Sequence, residues 1–198
     1  MRFDLVEIIK YPHPTLRYRS KPLKRIDTAL RETVAEMFQL MYEAQGIGLA
    51  ANQVDLPYRL FVLNVHEERL KDHEMVFINP VISKPKDPDE KEEGCLSLPG
   101  VYAQVRRPAS IHVTALNLAG EPIEGEFGGL LARAIQHETD HLDGILFIDR
   151  LADLSKKQLQ DDFDRFQKKY DLNRSESIIP SDEIILKRLA EMEAIYCV

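Results

Sequence analysis

The sequence predicts an α+β fold: small antiparallel or mixed β-sheets wrapped around a central helix, with further helices towards the C-terminal end. Three observations carry this expectation. Short runs rich in β-branched and aromatic residues, separated by polar turns, fill the middle of the chain. Apolar residues recur at helical spacing from Gly128 to Leu142, and two more amphipathic stretches follow Arg150. At 198 residues the chain is long enough for one well-buried body and short for two. The expected division is a main body over residues 1–150 and a helical extension over 151–198 packed on that same body.

Each element has its own justification. After an N-terminal segment rich in Pro and Arg, residues 27–45 place Leu30, Val34, Met37, Met41 and Ala44 at helical spacing. Asp27 or Thr28 can cap the start, and Gly46 can end it. The runs "YRLFVLNV" (58–65) and "MVFINPVIS" (75–83), with the polar turn "HEERLKDH" between them, read as strands. "KPKDPDEKEEG" (84–94) is charged and broken by prolines, so a loop or an exposed edge is expected there. "ASIHVTALNL" (109–118) alternates apolar and polar residues as a half-buried strand does, and "GEPIEGEF" (120–127) turns and runs back.

The central helix comes next, with apolar positions at Leu131, Ala134, Ile135 and Leu142, and Glu138 falls on the same stripe. Past Arg150, Leu159, Phe163, Phe166 and Tyr170 give a helix able to dock one face on the body. "NRSESIIPS" interrupts the chain before a last helix from about Asp182 to Tyr196. Its stripe of Ile185, Leu189, Met192 and Tyr196 suits packing in cis or against another copy, and the sequence leaves the oligomeric state open.

Composition narrows the function. Hydrophobic residues make up 44% and charged residues 30%, as in ordinary soluble globular proteins. A net charge of −7 argues against broad nucleic-acid binding, which needs clustered Lys and Arg against phosphate. No apolar run approaches the roughly 20 residues that cross a bilayer. The N-terminal stretch lacks the basic start, apolar core and cleavage site of a secretory signal, and two cysteines build no disulfide framework. A cytoplasmic location without membrane contact is expected.

The candidate chemistry starts from "QHETDHLDG" (136–144). On a helix, positions i and i+4 lie about 40° apart around the axis, so His137 and His141 point the same way and can share an ion. Glu138, about 100° round, can reach water bound to that ion without ligating it. The plain alternative is a pair of surface histidines on an acidic helix. It loses ground because a carboxylate and two imidazoles on or beside a buried face are costly unless paired or ligated. A third ligand is needed, and Cys95 in "EGCLSLPG" (93–100), in a glycine-flanked turn entering a strand, can supply a thiolate and leave a fourth position open. "GIGLAANQV" (46–54) adds two glycines that let the main chain run against a ligand and an amide donor at Gln53; on its own, a helix cap accounts for Gly46.

Taken together and in order, "GIGLAANQ", "EGCLS" and "QHETDH", with "GLLAR" (129–133) leading into the helix, resemble the bacterial-type peptide deformylases over about residues 5 to 150. The resemblance implies that 1–150 is the catalytic unit. It implies Cys95, His137 and His141 as ligands of one divalent ion, usually Fe2+, with Zn2+, Ni2+ or Co2+ able to occupy the same site. It implies Glu138 as general base and acid, Gln53 and the backbone N–H of Leu96 as oxyanion donors, and Gly48 as a residue of the substrate channel. Ile47 and Leu130 are further candidates for the slot that takes the methionine side chain. The implied reaction is removal of the formyl group from the N-terminal formylmethionine of nascent polypeptides, which brings the enzyme near the ribosome.

In that reaction the ion lowers the pKa of its water towards 7 and Glu138 carries the proton to the leaving amine. A zinc endopeptidase with the same HExxH is the first rival, but such enzymes usually take a downstream His or Glu as third ligand. A non-catalytic metal-binding module is the second, and neither Glu138 nor Gln53 is needed merely to hold an ion. The stretch 173–198 is longer than the family resemblance leads one to expect, and Cys197 has no assigned role. His13, His66, His73 and His112 match no motif and are expected on the surface or in strands.

Overall fold

A computed structural model of the chain describes residues 7–198; the expectations touching residues 1–6, at the start of the main body and of the family resemblance, lie outside the described residues. From Glu7 to Ile26 the chain is mostly irregular, with one 3₁₀ turn at Pro14–Arg17. Helix α1 (Thr28–Glu43) follows, its first turn capped by Asp27, whose carboxylate accepts from the Leu30 N–H at 3.0 Å. Then come β1 (Gly48–Ala50), β2 (Leu60–Leu63), β3 (Met75–Cys95), β4 (Leu98–Leu116) and β5 (Pro122–Gly128). Helix α2 (Gly129–Leu142) precedes α3 (Asp153–Gln158), α4 (Gln160–Ser175) and α5 (Asp182–Tyr196).

The strands pair antiparallel in the order β1-β2-β3-β4-β5. The fold is α+β, as the sequence predicts. Long β3 and β4 shift register at Ile78/Val81, Ser83/Lys86 and Gly94/Cys95. Such irregularities bend and twist a ladder, so one hydrogen-bonded sheet serves several packing surfaces. The charged segment 84–94 is the outer part of β3, an exposed edge and not a loop: it pairs with β4 on one side only, Lys86 with Ser110, Pro88 with Pro108 and Glu92 with Gln104. Its prolines are tolerated because this stretch is largely solvent-exposed and pairs on one side only, and Pro85 falls in the register break between Ser83 and Lys86.

The alternation of strand side chains decides which helix lies on which face. Leu60 and Val62 of β2 join Leu30, Val34, Met37 and Met41 of α1 in one core, whereas Phe61 and Leu63 join Ala132, Ala134, Ile135 and Leu142 of α2 in another. β2 is therefore buried on both faces, which is why it reads as an unbroken apolar run. Helix α5 closes the first core with Met192 and Tyr196, and the following Cys197 is buried with them. In α4, Phe166 packs in a third cluster with Leu98, Val101, Val105 and Phe147, and Leu159 and Phe163 lie against it. The last stripe thus packs in cis.

Two local expectations need correction. The terminating left-handed residue after α1 is Gln45, at φ +57°, rather than Gly46. A Cβ at Gly46 would lie 2.6 Å from Leu96 Cδ1, so this glycine is required by a close approach and not by the helix end. His13 is buried, not on the surface or in a strand; its Nδ1 accepts from the Thr15 N–H at 3.3 Å and starts the 3₁₀ turn. Among the described residues no helix is long and apolar enough to cross a membrane.

Candidate metal centre and substrate cleft

Helix α2 presents His137, Glu138 and His141 towards the turn that ends β3. Cys95 closes that strand and pairs with Leu98 across Leu96 and Ser97, so it leaves a strand rather than entering one. The ligand atoms of Cys95, His137 and His141 all lie within 4.8 Å of one another, and Cys95 Sγ is 3.3 Å from His141 Nε2. An ion bonded to one sulfur and one imidazole nitrogen at about 2.3 and 2.1 Å in tetrahedral geometry holds those atoms about 3.5 Å apart. One thiolate and two imidazoles at this spacing fit a divalent transition metal. His13, His66, His73 and His112 stand outside the cluster.

His137 is aimed by a carboxylate. Its Nδ1 lies 3.0 Å from Glu93 Oε2, which leaves Nε2 for the cluster. Glu93 is gripped in turn by Arg107, at 2.6 and 2.9 Å, and by Arg133 at 2.6 Å. Arg107 also reaches Asp140 on α2 at 2.7 Å, and Arg150 holds Asp140 from the other side. Burial alone raises a carboxyl pKa, but hydrogen bonds from His137 and Arg107 outweigh it and hold Glu93 down at about 2. Burial likewise lowers His137, yet hydrogen bonds to Cys95 and Glu93 keep it up at about 10. Burial and the neighbouring charge of His137 push His141 well below the usual imidazole value.

Glu138 stands differently. Its Oε2 is buried without a hydrogen-bond partner, and burial raises the carboxyl to about 7 against the opposing charges of His137 and Arg107. Gly48 makes the room: a Cβ there would meet Glu138 Oε1 at 2.5 Å and Leu63 Cδ2 at 2.6 Å. Gln53 is fixed at both ends. Its Oε1 accepts from the Ala50 N–H at 2.9 Å, which turns Nε2 towards Ser97 Oγ at 3.2 Å and Cys95 Sγ at 3.5 Å.

These groups face a cleft of about 520 Å³ whose lining includes Ile47, Gly48, Gln53, Cys95, Leu96, Leu130, His137 and Glu138. Ile47 and Leu130 are apolar yet 39% and 53% exposed, as the walls of an open slot would be. Eight of the nine sequence candidates therefore lie together on one cleft, and the ninth, His141, lies behind it on Cys95. The residues the sequence reading missed are Glu93, Arg107, Arg133 and Asp140. A signal existed: in β4 the alternation that buries Val105 also buries Arg107, and an arginine at an inward strand position calls for a buried partner.

Comparison with known proteins agrees with this geometry. The model of the family described as polypeptide deformylase matches residues 5–157. A peptide deformylase of Rhodopirellula baltica is 42% identical over 191 residues, 96% of this chain and 95% of that one. The stretch 173–198 is thus not peculiar to this chain. A second, from Chromobacterium violaceum, is 45% identical over 156 residues, 79% of this chain and 92% of its own. Among solved structures, a peptide deformylase from Plasmodium falciparum superposes with a TM-score of 0.81 at 37% identity, covering 84% of this chain and 98% of that one. One from Arabidopsis thaliana does so with 0.81 at 39%, covering 89% and 97%.

Proposed function

The chain belongs to the polypeptide deformylase family, and from that premise we infer which of its residues perform the family's reaction. That reaction is hydrolytic removal of the formyl group from the N-terminal formylmethionine of newly made polypeptides, with release of formate. We assign Cys95, His137 and His141 as the ligands of one divalent ion, Fe2+ natively, with Zn2+, Ni2+ or Co2+ able to substitute; a thiolate beside two imidazoles suits each of them. Held by Cys95, His137 and His141, such an ion would supply Lewis acidity towards the formyl carbonyl and towards water.

The chain's own groups do the rest. Glu138 accepts the proton of the attacking water at its free Oε2 and returns it to the leaving amine nitrogen, a task suited to a carboxyl near pKa 7. The Gln53 amide, already oriented through Ala50, and the backbone N–H of Leu96 donate to the developing oxyanion. Ile47, Gly48 and Leu130 form the slot for the methionine side chain. Glu93 is a positioning residue that fixes the ring of His137.

We further propose that residues 1–150 carry the reaction and 151–198 form an extension of the same body. A cytoplasmic, ribosome-proximal setting suits a substrate that exists only at the start of new chains, and both cysteines are free thiols. The observation that carries the assignment is the Cys95, His137 and His141 cluster with the unpartnered Glu138 carboxylate beside it. The test is formate release from a formyl-Met tripeptide by protein purified anaerobically with iron, beside an internally cleavable peptide with a blocked N-terminus. Formate without internal cleavage is expected; internal cleavage without formate would move the assignment to a protease.

A further inference from the structure

A second cavity, of about 850 Å³, lies between the N-terminal segment, α4 and α5, and is larger than the catalytic cleft. The two share a boundary, since Lys10 and Pro99 line both. Residues 9–11 form the partition: the Ile9 N–H donates to Gln53 O at 2.8 Å and the Tyr11 N–H to Ser97 O at 3.0 Å. Lys10 Nζ donates to Leu96 O at 2.9 Å. The segment that walls the second cavity is therefore fastened to the two places where the cleft carries its oxyanion donors. The far wall sets the apolar Phe166, Ile179, Met192 and Ile195 among charged side chains, Lys169 of α4 and Arg188 and Glu191 of α5. Both α4 and α5 begin after residue 157, where the match to the family model stops.

We propose that this cavity is a distal subsite for the substrate polypeptide: residues downstream of the formylmethionine pass Lys10 and Pro99 and rest against α4 and α5. The inference builds on the deformylase assignment above. A nascent chain is longer than the cleft, and the part that the cleft does not hold must leave it. An extended chain advances about 3.3–3.6 Å per residue, so a few residues carry it over the partition. Aliphatic walls take apolar side chains, while the amines of Lys10 and Lys169 meet backbone carbonyls. The site selects for length and for apolar residues beyond the first few, and it adds nothing for a tripeptide.

The test compares kcat/KM for a formyl-Met tripeptide and a formyl-Met nonapeptide with apolar residues in its second half. The intact chain should favour the nonapeptide several-fold, through KM. Ile195→Glu and Lys169→Glu, both at solvent-exposed positions, should remove most of that preference and leave the tripeptide unchanged. A nonapeptide carrying a benzophenone near its C-terminus should crosslink the intact chain within α4 or α5, a readout independent of any variant. Equal kcat/KM for the two peptides, parallel losses on both, or crosslinks confined elsewhere would overturn the proposal. So would a dimer of the intact chain that Ile195→Glu dissociates, since a second copy would then fill the cavity. No formate from either peptide would instead overturn the deformylase assignment.

Discussion

Helices α2 and α5 have nearly equal length, 14 and 15 residues, and each lays one face against the sheet and its neighbours. Their buried faces differ in kind. α5 inserts Ile185, Leu189, Met192 and Tyr196, whose burial contributes to stability directly, at roughly 1.5–3 kcal/mol for each large aliphatic side chain, and its one buried charge, Glu193, is paired with Lys21. α2 buries Arg133, Glu138, Asp140 and His141 among its apolar residues, so its packing depends on charges being matched by other charges. Such a network adds little net stability, while loss of a single member is expensive. The lesson is a division of labour: one helix anchors and the other is held in place by paired charges, with His137, Glu138 and His141 at the cluster we assign as the metal centre.

The sharpest way to break this comparison is at the acting side chains. Cys95→Ala should abolish binding of the ion, read by metal analysis, and activity with it. Glu138→Ala should keep the ion and lower kcat/KM by about 10²–10⁴-fold; near-normal turnover would refute the proton-transfer role. Next in size is Arg107→Met, which strips Glu93 and Asp140 of a shared partner. It should cost about 3 kcal/mol in urea unfolding, and should weaken metal affinity because His137 loses its orientation.

On α5, Leu189→Ala should cost about 2–4 kcal/mol while leaving tripeptide deformylation within twofold. A matching loss of activity would erase the division. The smallest effect is a reporter. Burial, with the charge of Glu193, pushes the Cys197 thiol up to about 11, so at pH 8 on the order of 10⁻³ of it is thiolate. Iodoacetamide should spare it in the intact chain, label it faster as pH approaches 11, and label it faster at pH 8 once Leu189→Ala loosens the helix.

What the sequence made legible was local. The spacing of His137 and His141 is helix geometry, and the stripes of α1, α4 and α5 are 3.6-residue periods, so both could be read without knowing the fold. Cys95 was a candidate from its glycine-flanked turn, but the family resemblance was needed to tie it to them, because 41 residues of intervening chain hide its approach to α2. The partnership of Glu93, Arg107 and Asp140 spans strand and helix in the same way. The glycines of "GIG" suggested a close approach without naming Leu96 and Glu138 as the neighbours. In 84–94, prolines and charge masked a strand whose hydrogen bonds come from β4, a partner that local pattern does not display.

The end of the described chain closes on its beginning: Cys197 bridges Leu23, the Val198 N–H donates to Pro22 O at 3.0 Å, and the Lys24 N–H donates to Tyr196 O at 2.9 Å. During synthesis, residues 22–24 must wait for the last helix to emerge before these bonds can form. The core between α1 and the sheet is thus sealed only after α5 has been made. Contacts between stretches far apart in sequence, and not between neighbours, complete that interior.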